Sequence, residues 1–294
     1  MKVANLFHNP KAGDSTHDKH ELVSLIGNEG FKCVYISTKG KKWDIDKDAD
    51  IGIIAGGDGT VRKVAAYLLK KMKKDIPPLA LLPLGTANNI ASALNISSSP
   101  GEIIASLNKR QAKPFDIGSI DGLNGQDFFL ESFGCGIFAN LMNAMKKKDH
   151  KEKSASEKLN DALRTMLEIA GDYEARECKL EIDGNDYSGS YLMAEVMNIN
   201  SIGPNLLLSP FSDTSDGIFE IVLIAEKDRK QLVQYLGNRV NGIEEAASFR
   251  TIRGRNIKIK WEGLHVHVDD KIVKEKKEIK AKVEVEPGRL QFLM

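Results

Sequence analysis

Apolar and polar positions along the chain change rhythm once. Over the first third, short apolar runs alternate with stretches of helical period. Residues 3–8 read as a strand that ends at Asn9-Pro10-Lys11-Ala12-Gly13, and segment 17–28 sets Leu22, Leu25 and Ile26 at helical spacing. Residues 31–36 and 51–55 predict two more strands, the second running into Gly56-Gly57-Asp58-Gly59-Thr60. Behind it Val61, Val64, Ala65, Leu68, Leu69 and Met72 share one face of a helix whose outer face carries Lys63, Lys70, Lys71, Lys73 and Lys74. Pro77 and Pro78 stop that helix, residues 79–82 begin a further strand, and Pro83-Leu84-Gly85-Thr86-Ala87-Asn88-Asn89 leads into a short helix through Leu94. This order predicts a mostly parallel sheet with helices on both faces.

After about residue 115 short strands dominate. Residues 128–132, 179–182, 191–198, 218–224, 256–259, 265–268 and 283–285 read as strands, separated by turn signals such as Asp183-Gly184-Asn185 and Asp216-Gly217. A helical insertion carries Leu159, Ala162, Leu163, Met166, Leu167 and Ala170 as its stripe, and a second helix spans about 230–240. The expected fold class is therefore α/β, with an N-terminal mostly parallel α/β domain (1–118) and a C-terminal β-sandwich with a helical insertion (119–285). Residues 286–294 are expected to return to the first domain.

Composition narrows the function classes. The 294 residues are 41% hydrophobic and 28% charged, and 42 Lys and Arg nearly balance 41 Asp and Glu. A disordered chain is excluded, and a formal charge of +1 argues against a general nucleic-acid binder. Cys33, Cys135 and Cys178 are scattered, which reads as reduced thiols in a cytoplasmic protein. No apolar run approaches the ~20 residues of a membrane span, so no transmembrane segment is expected.

The chemistry gathers at three strand ends. In Gly56-Gly57-Asp58-Gly59-Thr60 the glycines allow close backbone approach, and the helix behind offers N–H groups to an anion. A carboxylate at that place suits a phosphate ligand when a divalent cation shares the site; the plainer reading is a tight turn with Asp58 capping the helix. Gly85, Thr86 and Asn88 supply a second such loop, and residues 9–13, with Lys11, a third. Open α/β sheets bind ligands along this rim. A Walker A pattern is absent, and the Rossmann glycine pattern fails because position 62 is Arg62.

These motifs resemble those of the bacterial diacylglycerol kinase catalytic family, soluble lipid kinases related to sphingosine kinases and more distantly to NAD kinases. Asn-Pro-x-x-Gly falls at 9–13, Gly-Gly-Asp-Gly-Thr at 56–60, and Pro-x-Gly-Thr-x-Asn at 83–88. Val196-Met197-Asn198, Gly203-Pro204, Leu208-Ser209-Pro210, Asp216-Gly217 and Pro287-Gly288-Arg289-Leu290 follow the family's second domain in order. The resemblance implies a kinase with ATP in the cleft between its two domains, transferring phosphate to a lipid hydroxyl, diacylglycerol by default. It implies that Asn9, Pro10, Lys11, Ala12, Gly13, Gly56, Gly57, Asp58, Gly59, Thr60, Gly85, Thr86 and Asn88 hold ATP, with Thr38 in support. Asp58 would organise Mg²⁺ near the phosphates and Asp269 would orient or deprotonate the hydroxyl. A structural Mg²⁺ would sit on Asp213, Asp216 and the Ile218 carbonyl, where an Asp-rich turn without metal is the other reading. The implied partner is a lipid at the inner membrane face, and the resemblance leaves room for a homodimer.

Two positions depart from the family pattern. Asn89 stands where a carboxylate is usual, and Lys271 where the family carries Glu. A second reading therefore stays open, a nucleotide-binding homologue with little kinase activity, and a third is a kinase for a non-lipid hydroxyl. Asp269-Asp270 also suits a plain hairpin turn. His265 and His267 alternate onto one strand face without an evident third metal ligand. Segment 140–153 sets Leu141, Met142 and Met145 beside Lys146, Lys147, Lys148, Lys151 and Lys153, which suits either an anionic membrane surface or a solvated loop.

Overall fold

The computed structural model describes residues 1–13, 17–40, 42–72, 75–148, 154–275 and 278–294. Lys73, Lys74, Lys151 and Lys153 lie outside the described residues. The chain forms two compact units, one of Met1–Phe115 with Gly288–Met294, the other of Asp116–Pro287.

In the first unit, β1 (Lys2–His8), α1 (Lys19–Asn28), β2 (Phe31–Ser37), β3 (Ile51–Gly56), α2 (Asp58–Met72) and β4 (Leu79–Pro83) alternate. The strands run parallel in the order β2-β1-β3-β4, as the near-continuous apolar runs of buried parallel strands require. Every residue of β3 is buried. The register sets His8 beside Ala55 and Gly56 beside Pro83, so the loops after β1, β3 and β4 leave one end of the sheet. The chain moves to opposite sides of β1 for β2 and β3, which makes this end a topological switch point. Two short helices follow, α3 (Asn89–Ala93) and α4 (Pro100–Ala105). The second has a capping box, Ser99 with Glu102, and Pro100 in its first turn. β5 (Ala112–Asp121) then carries the chain into the second unit.

The second unit is antiparallel. Its longer strands are β6 (Ser132–Gly136), β7 (Arg176–Ile182), β8 (Gly189–Met197), β9 (Phe219–Ala225), β10 (Arg250–Gly254), β11 (Asn256–Trp261), β12 (His265–Val268), β13 (Lys271–Lys274) and the first part of β14 (Ile279–Leu293), whose end from Gly288 belongs to the first unit. β8 is central and pairs with β6, β7 and β9. Strand alternation sends Phe133, Val196, Phe219, Ile259 and Trp261 into one apolar core. The opposite side packs on α5 (Ile137–Met145), α6 (Ala155–Asp172) and α7 (Arg229–Val240) through Leu141, Met166, Met193, Met197 and Leu236.

Two expectations change here. The strand placed at 283–285 is part of a fifteen-residue strand that passes Pro287 and Gly288, with Gly288 at φ +58. Leu141 is buried, and Met142 and Met145 pack on the helix-side core, so the apolar edge expected at 140–145 faces the protein's own interior. Lys148 reaches Thr165 at 2.7 Å. Among the described residues, no helix is long and apolar enough to cross a membrane.

Candidate active site

The three loops at the sheet end lock together backbone against backbone. A Cβ on Gly85 would lie 2.4 Å from the Gly57 Cα, and one on Gly57 would lie 2.8 Å from the Gly85 Cα. Only glycine on both sides permits that approach. Gly13, at φ +53, lies against the loop after β4, where a Cβ would meet the Leu84 carbonyl oxygen at 2.6 Å. Leu84 N–H donates to the Gly56 carbonyl at 3.0 Å, and Asn9 donates both to the Ala55 carbonyl and, through Nδ2, to Thr60 Oγ1.

Asp58 joins two of these loops. Its carboxylate accepts the Asn89 N–H and the Ile90 N–H, each at 3.0 Å. The sequence offered Asp58 as the cap of the helix that follows it; the structure makes it the first residue of α2 and spends its oxygens on the first N–H groups of α3. Asn88 holds a left-handed backbone at φ 52 and closes its loop, accepting from Gly85 N–H at 2.8 Å and donating to the Gly85 carbonyl at 3.0 Å. Buried Asn89 sits in the clamp through its own N–H, which a carboxylate side chain is not needed to supply. Lys11, Gly13, Gly59 and Thr86 are exposed around this core. The first turn of α2 leaves N–H groups without intrahelical acceptors at the same place.

Thr38 is the member that does not reach the loops' exposed rim. It is buried, and its N–H and hydroxyl both donate to the His8 carbonyl, at 2.9 and 3.2 Å, tying the ends of β1 and β2. Lys63 donates to the Thr38 carbonyl.

In the second unit, residues 213–218 form the Asp-rich turn. Asp213 accepts from Ser215 N–H and hydroxyl at 2.9 and 2.7 Å, and Asp216 accepts from Ile218 N–H at 3.0 Å. The other Asp216 oxygen is paired with Arg253, which also contacts Glu220. A cation here would meet a carboxylate already neutralised by a guanidinium. Among the described residues, no group of three or more His, Cys, Asp or Glu is arranged to hold a metal ion. Asp213, Asp216 and Ile218 thus do not fit a resident Mg²⁺ as they stand. The turn is anchored by a residue the sequence reading passed over. Asp116 is buried, accepts Gly217 N–H at 2.6 Å and donates its own N–H to Thr214 at 2.7 Å. A lone carboxylate inside the apolar run Phe115-Asp116-Ile117 was the available signal.

Asp269 lies in the β12–β13 turn at φ 51, with its side chain buried. Its Oδ1 accepts from Leu130, Glu131 and Ser132 N–H at 3.0, 2.8 and 3.3 Å, and Oδ2 accepts from Leu130 at 3.1 Å. Such a nest favours the ionised carboxylate, so it suits a group that orients a hydroxyl better than one that takes its proton. Lys271 is exposed on β13.

His267 is not a metal ligand. Its Nε2 lies 2.8 and 3.0 Å from the two Glu195 oxygens, and both side chains are fully buried. Burial works to lower the imidazole pKa, but the Glu195 carboxylate and its hydrogen bond outweigh it and hold the group above its ordinary value. Burial pushes the Glu195 carboxyl up as well, against the pull of His267. Both directions describe a pair that keeps its shared proton. In the unfolded chain a histidine loses its proton near pH ~6.5 and a glutamate near ~4.3. Folding therefore takes up protons, through Glu195 above about pH 4.3 and through His267 above about pH 6.5, and stability falls as pH rises from those values through the pair's folded titration. The limiting slope is about 1.4 kcal/mol per pH unit. Urea melts between pH 6 and 8 should show this decline; a flat profile would contradict the shared proton.

Comparisons with known proteins fit this geometry. Residues 3–120 match the diacylglycerol kinase catalytic domain, and residues 140–294 match the YegS C-terminal NAD kinase beta sandwich-like domain. A diacylglycerol kinase of Bacillus subtilis is 27% identical over 247 residues, covering 80% of this chain and 77% of the relative. A probable lipid kinase YegS-like protein of Pseudomonas fluorescens is 29% identical over 222 residues, covering 74% and 68%. The fold is that of a crystal structure of a diacylglycerol kinase from Bacillus anthracis, with TM-score 0.73, 22% identity and coverage of 99% and 96%. An NAD kinase from Archaeoglobus fulgidus in complex with ATP shares it at TM-score 0.55 and 15% identity, covering 100% and 94%.

Proposed function

The chain belongs to the diacylglycerol kinase catalytic family, with a YegS-type second domain, and from that premise we propose that it is an ATP-dependent lipid kinase. In this reading the phosphoryl donor is ATP carried with Mg²⁺, and the acceptor is the hydroxyl of a diacylglycerol-like lipid at the inner membrane face.

The observation that carries the reading is the three-loop lock of the first unit. Back-to-back glycines and the Asp58 clamp create a rigid rim of exposed backbone and small side chains at a parallel-sheet switch point. The donor's phosphates lie on residues 9–13, 56–60 and 85–88, with Lys11 and the first turn of α2 countering their charge. The Archaeoglobus NAD kinase of like fold binds ATP, which favours ATP as donor.

The acceptor oxygen attacks the γ-phosphorus as the bond to the β-phosphate bridging oxygen breaks. ADP leaves, and the hydroxyl proton passes to solvent or to the new phosphate. Catalysis of this kind is chiefly positioning and charge neutralisation. Asp269 orients the hydroxyl from its backbone nest. Asp58 acts by fixing two phosphate loops.

A second reading, a nucleotide-binding homologue with little turnover, is favoured by one observation. The Asp269 carboxylate already accepts three backbone N–H groups, and Lys271 replaces a family carboxylate beside it.

ATP consumption by the purified protein with Mg²⁺, with and without diacylglycerol-containing vesicles, separates the two. Lipid-dependent ADP release with phosphorylated lipid as product is the expected result. Bound ATP without lipid-dependent turnover overturns the lipid kinase reading in favour of the second.

A further inference from the structure

Three neighbouring strands place Glu195, Gly134 and His267 in one lateral row. Glu195 pairs with Gly134 across β8 and β6, and Gly134 with His267 across β6 and β12. Glu195 and His267 meet over the middle strand only because position 134 has no side chain. A Cβ there would lie 2.1–2.3 Å from the Glu195 carboxyl atoms. Phe138 of α5 closes the row with its ring 4.6 Å from the imidazole, edge to face.

The other face of the imidazole leads to the acceptor turn. His267 Nδ1 lies 3.2 Å from the Asp269 carbonyl oxygen. A carbonyl only accepts, so Nδ1 carries a hydrogen. Nε2 lies 2.8 Å from a carboxylate oxygen, a distance two lone pairs do not tolerate, so a second proton sits between them. The imidazole thus donates on both sides while that proton is present. Without it, a lone pair faces a carboxylate in a dry interior, and the ring must turn away. That movement also breaks its bond to Asp269.

We infer that the Glu195–His267 pair is a proton-held positioning device for Asp269. By gripping the Asp269 carbonyl it fixes the left-handed turn that delivers the carboxylate to the N–H groups of residues 130–132. The inference rests on the reading of Asp269 as the group that orients the acceptor hydroxyl. Packing alone does not call for the pair, since apolar residues of like size commonly replace a buried ion pair at no loss of stability. The remaining titratable neighbours are few among the described residues. They include buried Cys135 on β6, buried Glu131 beside the Asp269 carboxylate, partly buried His265 on β12, exposed Asp270 in the turn, exposed Lys271 and Lys274 on β13, and Asp269 itself.

The test is the double variant Glu195→Met/His267→Leu, which removes both charges together and takes the imidazole donor from the Asp269 carbonyl. Three measurements are made on the full chain. The first is the melting temperature, expected unchanged or higher. The second is amide hydrogen exchange at Leu130, Glu131 and Ser132, where protection should fall about tenfold or more while β8 and β9 amides hold. The third is turnover of diacylglycerol vesicles, where kcat should fall about 100-fold with the KM for ATP unchanged. The wild type should lose kcat as rising pH removes the shared proton, and the variant should not. Unchanged protection at residues 130–132 overturns the inference, whether or not the protein phosphorylates lipid. Wild-type turnover by Asp269→Asn instead overturns the role of Asp269, and the exchange result still decides the positioning.

Discussion

Exchanging Asp58 for Asn should lower lipid-dependent turnover by about a thousandfold while the protein still folds. The carboxylate accepts two backbone N–H groups, from Asn89 and Ile90. An amide of the same shape accepts one and points its own N–H₂ at the other. Stability should fall by about 1–2 kcal/mol, the usual cost of losing such a cap, which lowers the melting temperature by about 2–8 °C in a chain of this size. The activity loss is larger because the two loops that Asp58 joins are those assigned to the phosphates. Steady-state kinetics beside a thermal melt check both halves. Near-wild-type turnover with the same small loss of stability would show that the clamp serves folding alone.

Gly85→Ala is the second large effect. Its Cβ would meet the Gly57 Cα at 2.4 Å, backbone on backbone, with no side chain able to move aside. The loops must part, at a cost of about 1–3 kcal/mol or more for overpacking, and ATP binding should weaken beyond detection at millimolar nucleotide. Gly27→Ala is the matched control. That glycine is exposed in α1, and a Cβ added there would have nothing within 4 Å, so alanine should stabilise by about 0.5–1 kcal/mol. Calorimetry for nucleotide binding and urea melts for stability read the pair. Equal behaviour of the two variants would remove the steric argument.

How much of this was legible in the sequence depends on whether a contact is local. The strands and loops of the first unit follow from apolar runs ended by glycine-rich turns, and their convergence follows from parallel order. The Asp58 clamp does not. Its partners are 31 and 32 residues away, and a capping aspartate reads as serving the helix beside it. Glu195 and His267 stand 72 residues apart. The pair becomes visible only when register sets both beside Gly134, whose significance is the side chain it lacks. The stripe at 141–145 does not show its side in the sequence, because an apolar helix face looks the same whether a membrane or the protein's own sheet covers it. Pro287-Gly288 reads as a break, yet β14 continues through it, since a proline and one positive-φ glycine bend a strand without ending its pairing.

That last strand has a consequence for how the chain is made. Phe292 pairs with Leu79 on the edge of the first unit's sheet and meets the Phe115 ring edge to face, and Met294 exchanges two backbone hydrogen bonds with Gln111. A ribosome delivers these residues only after the whole second unit. Until then the β4 edge and the Phe115 ring have no cover, and the nascent first unit carries an open, apolar sheet margin through the synthesis of some 170 residues. The order of translation thus sets a waiting period in which the first unit depends on the rest of the chain being finished.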